Sequence, residues 1–209
     1  MRRKWWQLAK WLRRRSSLDT LSDMEMTRTV VLVEGTSDER ALDALAGRRG
    51  RDLAAEGISI VAIGGSKNIV RFLDRFGPQG LDLRLAGLCD AAEESDYRRG
   101  LERAGLGSDL TRADMESLGF YVCVEDLEDE LIRALGPGAV EQVIDAQGEI
   151  ASFRTFQRQP EWRGRTDVEQ LRRFFGTHSG RKIRSASSLV DALDLAQVPR
   201  PLDGLLAHI

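Results

Sequence analysis

TVVLVEGTSDE, residues 29–39, is the stretch that decides the fold. Thr29 to Val33 is a five-residue β-branched and aliphatic run, too short for a buried helix and without the alternation of a half-exposed strand. It reads as a strand covered on both faces. Glu34-Gly35 ends it. Thr36 and Glu39 then stand at capping-box spacing, which predicts a helix running through Ala46. A buried strand that passes at once into a helix is the first half of a crossover unit.

The same alternation continues downstream. Residues 58–63 (ISIVAI), 83–89 and 120–124 (FYVCV) read as further strands, closed by Gly64-Gly65, Asp90 and Glu125-Asp126. Helices are predicted over 68–76, 97–104 and 127–135, with Gly77-Pro78 and Gly136-Pro137 as stops. The expected class is therefore α/β, a mostly parallel four-stranded sheet flanked by helices. Beyond Pro137 no strand signal occurs, and residues 140–146, 168–175 and 186–196 read as helices of a C-terminal extension. The expected division is residues 1–27 as a basic, Trp-rich segment and linker, 28–136 as the α/β core, and 137–209 as a helical extension carrying basic residues and Lys182.

Composition narrows the class. At 42% apolar and 31% charged, the 209-residue chain can bury one core and is not globally disordered. Two cysteines exclude a disulfide scaffold and favour a reducing, cytoplasmic setting. No apolar run reaches the roughly 18 residues of a spanning helix, and no signal-peptide core is visible. Residues 1–15 carry seven basic side chains and no acid, with Trp5, Leu8, Ala9 and Leu12 on one helical stripe. Such a segment can lie on an anionic membrane. The preferred reading is an appendage outside the fold, with Met24 or Met26 as alternative starts.

The net charge of −2 conceals opposed blocks: residues 85–150 hold 16 acids against 5 bases, and residues 151–184 hold 9 bases against 3 acids. Solvated helix faces account for much of this. The placement of the acids is more telling. In an open parallel sheet, ligands bind at the carboxyl ends of the strands, and three of the four predicted strands end in Glu34, Asp90 and Glu125-Asp126. Asp38 falls in the first turn after Glu34. Bunched carboxylates repel unless cations neutralise them, and oxygen-only ligands favour Mg²⁺ or Mn²⁺ over zinc. His178 and His208 do not make a histidine site. Taken singly, each acid also has a structural role open to it: Asp38, Glu39 and Glu128-Asp129-Glu130 at helix N-termini, Asp90 as a cap.

Glu34-Gly35-Thr36-Ser37-Asp38 after an apolar strand, with Gly64-Gly65 and Asp90, resembles a TOPRIM domain, the fold shared by topoisomerases, DnaG-type primases and certain nucleases. Asp126-Leu127-Glu128 and Gly180-Arg181-Lys182 extend the resemblance, over roughly residues 28–205, to the TOPRIM half of the overcoming-lysogenization-defect (OLD) nucleases. The resemblance implies metal-dependent phosphodiester chemistry. Glu34 matches the first-motif glutamate, a metal ligand or general acid/base. Asp38 matches its acidic companion, Asp90 the first aspartate of the Asp-x-Asp motif, Glu128 the later glutamate, and Lys182 the late lysine that stabilises phosphate charge. Gly35, Gly64 and Gly65 are read as turns near this site.

Two departures stand out. Ala92 occupies the place of the second Asp-x-Asp aspartate, with Glu93 beside it as a substitute and Glu94 a weaker one. No G-x-x-x-x-G-K-[ST] loop occurs, so an ATPase would be a separate chain. The expected reading is a nuclease using two Mg²⁺ or Mn²⁺ ions, the second in question because of Ala92, on Glu34, Asp38, Asp90, Glu93 and Glu128. Lys182 would face the phosphate, and Arg154, Arg158, Arg163, Arg165, Arg172, Arg173 and Arg181 would hold nucleic acid, with DNA preferred. Among nearby aromatics, Phe153, Phe156, Phe174 and Phe175 are expected in the core, and Trp162 is the best base-stacking candidate. The alternatives are a catalytically weak or inactive TOPRIM subunit that binds nucleic acid or a partner, and another phosphotransfer enzyme. Tyr97, on an acidic helix, and Tyr121, in a strand, are poor nucleophiles for a topoisomerase, and Cys89 and Cys123 read as inert core thiols.

Overall fold

The structure is a computed structural model that describes residues 27–177 and 179–209. The basic Trp-rich segment, most of its linker and His178 lie outside the described residues. Four parallel strands, β1 (Thr29–Val33), β2 (Ile58–Ala62), β3 (Arg84–Asp90) and β4 (Phe120–Cys123), stand in the order β2-β1-β3-β4. Thr29 pairs with Ile58 on one side of β1 and with Arg84 on the other, and Gly87 pairs with Phe120. The chain leaves β1 toward β2 and then returns across it to β3. The carboxyl ends of β1 and β3 therefore flank the topological switch point, where an α/β sheet opens a crevice. Glu34 follows β1 directly, and Asp90 is the last residue of β3.

Period-two alternation sorts the side chains onto two covered faces. Val31, Val33, Ala86, Leu88 and Cys123 face one side, packed under α1 (Thr36–Arg48) and the helices beyond residue 126. Val30, Leu32, Leu85, Cys89, Phe120 and Val122 face the other, under α2 (Ile69–Phe76), α3 (Glu94–Arg103) and α4 (Arg112–Ser117). Gly87 lets β3 and β4 approach: a Cβ there would meet the Phe120 ring at 2.7 Å and the Leu32 carbonyl at 2.8 Å. Cys89 and Cys123 are buried free thiols, and burial raises both pKa values.

The remaining helices are α5 (Leu127–Leu135), α6 (Pro137–Ala146), α7 (Ile150–Gln157), α8 (Asp167–Gly176), α9 (Ser179–Ala192) and α10 (Arg200–His208). Phe153, Phe156, Phe174 and Phe175 are buried, as expected, with the Phe153 and Phe174 rings edge-on at 4.9 Å. Arg48 at the end of α1 donates to the carbonyls of Val190 (2.7 Å) and Leu193 (2.6 Å) at the end of α9. The two helices thus lie side by side in the same direction, which brings the start of α9, with Lys182, to the rim where α1 starts. No helix among the described residues is long and apolar enough to cross a membrane.

Local corrections follow from capping and packing. The expected Thr36–Glu39 box is displaced by one residue: Gly35 is the N-cap, and its N–H donates to Asp38 Oδ2 at 2.8 Å. Three short helices, α4, α7 and α10, stand where no helix was predicted, and α9 begins seven residues before the predicted start at Ala186.

Candidate metal centre

The rim is built by turns that leave the strands at fixed angles. The Glu34 carbonyl accepts from Gly64 N–H (3.0 Å) and Gly65 N–H (3.4 Å). Gly64 and Gly65 have φ of 73° and 106°, where a side chain would be strained, so this clasp beside Glu34 depends on glycine. After β3, residues Ala91–Glu93 form one 3₁₀ turn with Asp90 as its N-cap. Side chains three apart eclipse in such a turn. Glu93 therefore lies over Asp90, while Ala92 is exposed. Carboxylate oxygens of Glu34, Asp90 and Glu93 all fall within 4.8 Å of one another. The Asp90 side chain makes no cap hydrogen bond.

The next element adds a second pair of groups. Asp126 caps α5 by accepting from Asp129 N–H at 2.7 Å, which fixes the first turn. Glu128, 4% exposed in that turn, forms an ion pair with Lys182 Nζ at 2.8 Å. Its other oxygen, Oε1, has no hydrogen-bond partner among the described residues, and the same holds for Glu93 Oε2. The neighbouring acids turn elsewhere: Asp129 to Arg133 (2.6 Å), Glu130 to Val124 N–H (2.7 Å) and Arg133 (2.9 Å).

Electrostatics distinguish this cluster from ordinary surface acids. Burial, and then the mutual repulsion of Asp38, Glu34, Asp126 and Glu93, pushes Asp90 up to about 8. Asp38 is pushed up to about 7 by burial and by Glu128 and Glu34, against the hydrogen bond from Gly35. Glu34 is raised by burial and by Glu93, and Glu128 by burial despite Lys182. Burial works against the Lys182 ammonium, but Glu128, Asp38 and Asp126 more than offset it and raise its pKa. Asp38 and Asp90 therefore hold protons near neutrality unless another cation replaces them. The all-oxygen donor set and the two unpartnered buried oxygens fit a hard divalent cation.

The structure thus brings Glu34, Asp38, Asp90, Glu93, Glu128 and Lys182 into one electrostatic cluster, with Gly35, Gly64 and Gly65 in its supporting turns. The arginines are divided. Arg172 reaches back to the rim, 3.1 Å from Asp126 and 3.7 Å from both Glu125 and Asp129. Arg165, 3.5 Å from Glu169, and Arg173 line a cleft beside Asp126. Arg158 and Arg163 are exposed in the loop after α7. Arg154 pairs with Glu141 at 2.6 Å, away from the rim contacts. Arg181 bonds Glu149, lies 3.9 Å over the Phe174 ring and braces the helical layer.

Two residues near the cluster were not among the sequence-derived site residues. Asp126 supplies the cap that aims Glu128, and its signal was the D-x-x-D spacing before α5. The sequence shows Tyr97 only as a residue of an acidic helix. It is fully buried against Phe120, and its hydroxyl has no hydrogen-bond partner among the described residues. Burial first, then Cys89, Asp38, Glu34 and Asp90, raises its pKa.

Residues 26–91 match the family model of the overcoming lysogenization defect protein-like TOPRIM domain. That span contains Glu34, Asp38 and Asp90, but not Glu93, Glu128 or Lys182. No curated protein matches the sequence. Among solved structures, the C-terminal region of the Burkholderia pseudomallei OLD protein superposes with a TM-score of 0.68 at 20% identity, covering 87% of this chain and 96% of that one. The C-terminal region of the Xanthomonas campestris pv. campestris OLD protein gives 0.68 at 22% identity, covering 90% and 94%. At these identities the likeness is one of fold. In sequence over its first three strands the chain is similar to the OLD-like TOPRIM domain, and along most of its length it has the fold of these OLD C-terminal regions.

Proposed function

We propose that the protein is a metal-dependent nuclease that hydrolyses phosphodiester bonds of nucleic acid, with DNA as the preferred substrate. The observation that carries this reading is the approach of Glu34, Asp90 and Glu93 within 4.8 Å at the switch point, beside the Glu128–Lys182 pair. Glu34, Asp90 and Glu93 would hold one Mg²⁺ or Mn²⁺, and Asp38 and Glu128 supply oxygens for a second. A divalent cation bound there supplies Lewis-acid polarisation of the phosphate and a more acidic water. Lys182, held in place by Glu128, places a positive charge where the non-bridging oxygens gain negative charge. Gly35 N–H keeps Asp38 turned toward the rim, so the carboxylates are preorganised for a cation. Arg172 and the exposed arginines of α8 and the preceding loop draw the polyanion toward this edge. The chain would act in the cytoplasm, with a separate ATPase chain as its partner.

The test is cleavage of plasmid and single-stranded DNA with Mg²⁺, with Mn²⁺ and with chelator, using Glu34→Ala and Lys182→Ala proteins. Metal-dependent cleavage lost in both variants supports the proposal. Equal cleavage by the variants would assign the activity to a contaminant. Ala92, exposed where the family's second aspartate belongs, favours a second reading as a non-catalytic binding subunit. Calorimetry that finds no cation binding, together with retained salt-sensitive DNA binding, would select it.

A further inference from the structure

Beside the rim lies a cleft of about 420 Å³ lined by Asp126, Trp162, Arg165, Glu169, Arg172 and Arg173. Asp126 borders it and stands two residues before Glu128, so the cleft opens next to the carboxylate cluster. Its acids are already satisfied. Asp126 holds Arg172 and the α5 N-terminus, and Glu169 accepts from Thr166 N–H and Oγ1, both at 2.9 Å, with Arg165 at 3.5 Å. Arg173 is exposed and has no ion-pair or hydrogen-bond partner among the described residues. The uncompensated charge of the cleft is therefore positive.

The aromatic wall is fixed in place. Trp162 is half-buried and stacks one ring face on Phe156 at 5.1 Å and 25°, while it also lines the cleft. The loop that carries it is pinned by Gln170, 7% exposed, whose amide donates to the carbonyls of Trp162 and Arg165, both at 3.0 Å, and accepts from Gln157 at 2.7 Å. A buried amide with its donors and acceptor all used holds the indole without further ordering on binding. A flat, preordered indole beside a free guanidinium suits a ligand with one π-face and one phosphate. The size falls in the range of pockets that take small molecules, about 300–1,000 Å³. A base inside a duplex has no free face to offer.

We propose that this cleft is a subsite for one unpaired nucleotide of the substrate strand, with its base on Trp162 and its phosphate on Arg173. The inference deepens the nuclease reading by giving the enzyme a single-strand preference, but binding in chelator tests it without cleavage. The probes are a fluorescein-labelled oligo-dT and a duplex of equal length, titrated by anisotropy against the full chain. The wild type binds the single strand more tightly. Trp162→Ala weakens single-strand binding roughly ten-fold, as expected for one lost stack, and Trp162→Phe restores most of it. Arg173→Ala, at an exposed site that leaves folding intact, lowers the salt slope of single-strand binding by about 0.7. Unchanged single-strand affinity in both Trp162→Ala and Arg173→Ala would overturn the proposal. Equal losses on single strand and duplex would overturn the stacking role of Trp162. Failure of metal-dependent cleavage with these binding effects intact would count against the nuclease reading alone.

Discussion

The acids at the start of α5 and those at the sheet rim have the same side-chain chemistry and opposite fates. Asp129 and Glu130 are almost fully buried, and each has partners supplied by the fold: Arg133, Arg172 and the Val124 N–H. Glu34, Asp90 and Glu93 converge on one another instead, and none forms an ion pair with a basic residue among the described ones. Glu128 stands between the two groups, with one oxygen on Lys182 and the other without a partner. The first group is neutralised by the protein itself. The second keeps an unmet demand for positive charge, which marks a place for something that comes from outside. Burial alone does not separate the two groups; the presence or absence of an internal cation does.

The largest effect expected from breaking this contrast is at the rim. Glu34→Ala should reduce metal-dependent cleavage by more than about 100-fold, because even outer-shell partners of a metal site are worth ten- to 100-fold. The melting temperature of that variant in chelator should stay the same or rise, since a repelling carboxylate has been removed. Asp129→Ala should do the reverse. It should lower unfolding free energy by about 1–3 kcal/mol, toward the low end because Arg133 is 44% exposed and can turn to water. Cleavage per folded molecule should be retained. Loss of activity without loss of stability in Asp129→Ala would erase the distinction.

A third test titrates the contrast. Asp38 at about 7 and Asp90 at about 8 lie far above the ordinary aspartate value, about 3.9. Between about pH 4 and pH 8 the folded, metal-free chain holds protons that the unfolded chain has already released. Their contribution to stability therefore falls as pH rises through that window. In chelator the melting temperature should drop from about pH 5.5 to about pH 8.5, and Mg²⁺ should restore it most at the alkaline end. A flat profile that Mg²⁺ does not alter would mean that the rim acids carry no such strain. The smallest effect should come from Arg200→Ala. Its partner Glu116 is engaged at the surface at 2.5 Å, and exposed pairs of this kind contribute little. Thermal melts should not resolve this variant from the parent.

Much of the architecture was legible along the chain. Short apolar runs, β-branched in β1 and β2, closed by glycines or acids, placed all four strands, and the parallel arrangement followed from the helices between them. What stayed hidden has local causes. Residues 150–157 and 200–208 carry weak helix signals, with a β-branched start in one and a Pro and a Gly in the other, and they are helical because their apolar faces pack on the core. The T-x-x-D box of Thr111 and Asp114 starts α4, but the helix is only six residues long and too short to show a hydrophobic period. At the site, the sequence shows Glu93 only as the neighbour of Ala92. That it lies over Asp90 depends on the chain taking a 3₁₀ turn there, which the residue types do not specify.

The order of residues by itself determined the strands, the acids that end three of them, and the charge opposition between the middle and the last third of the chain, because these depend on hydrophobic period and on composition. Tertiary structure alone decided which acids share a space. The crossing from β2 over β1 to β3 sets Glu34 next to Asp90. The alignment of α9 with α1, held by Arg48 across 142 residues to Val190, carries Lys182 back to Glu128. Coulomb energy depends on distance through space, and separation along the chain bears on it only through the fold.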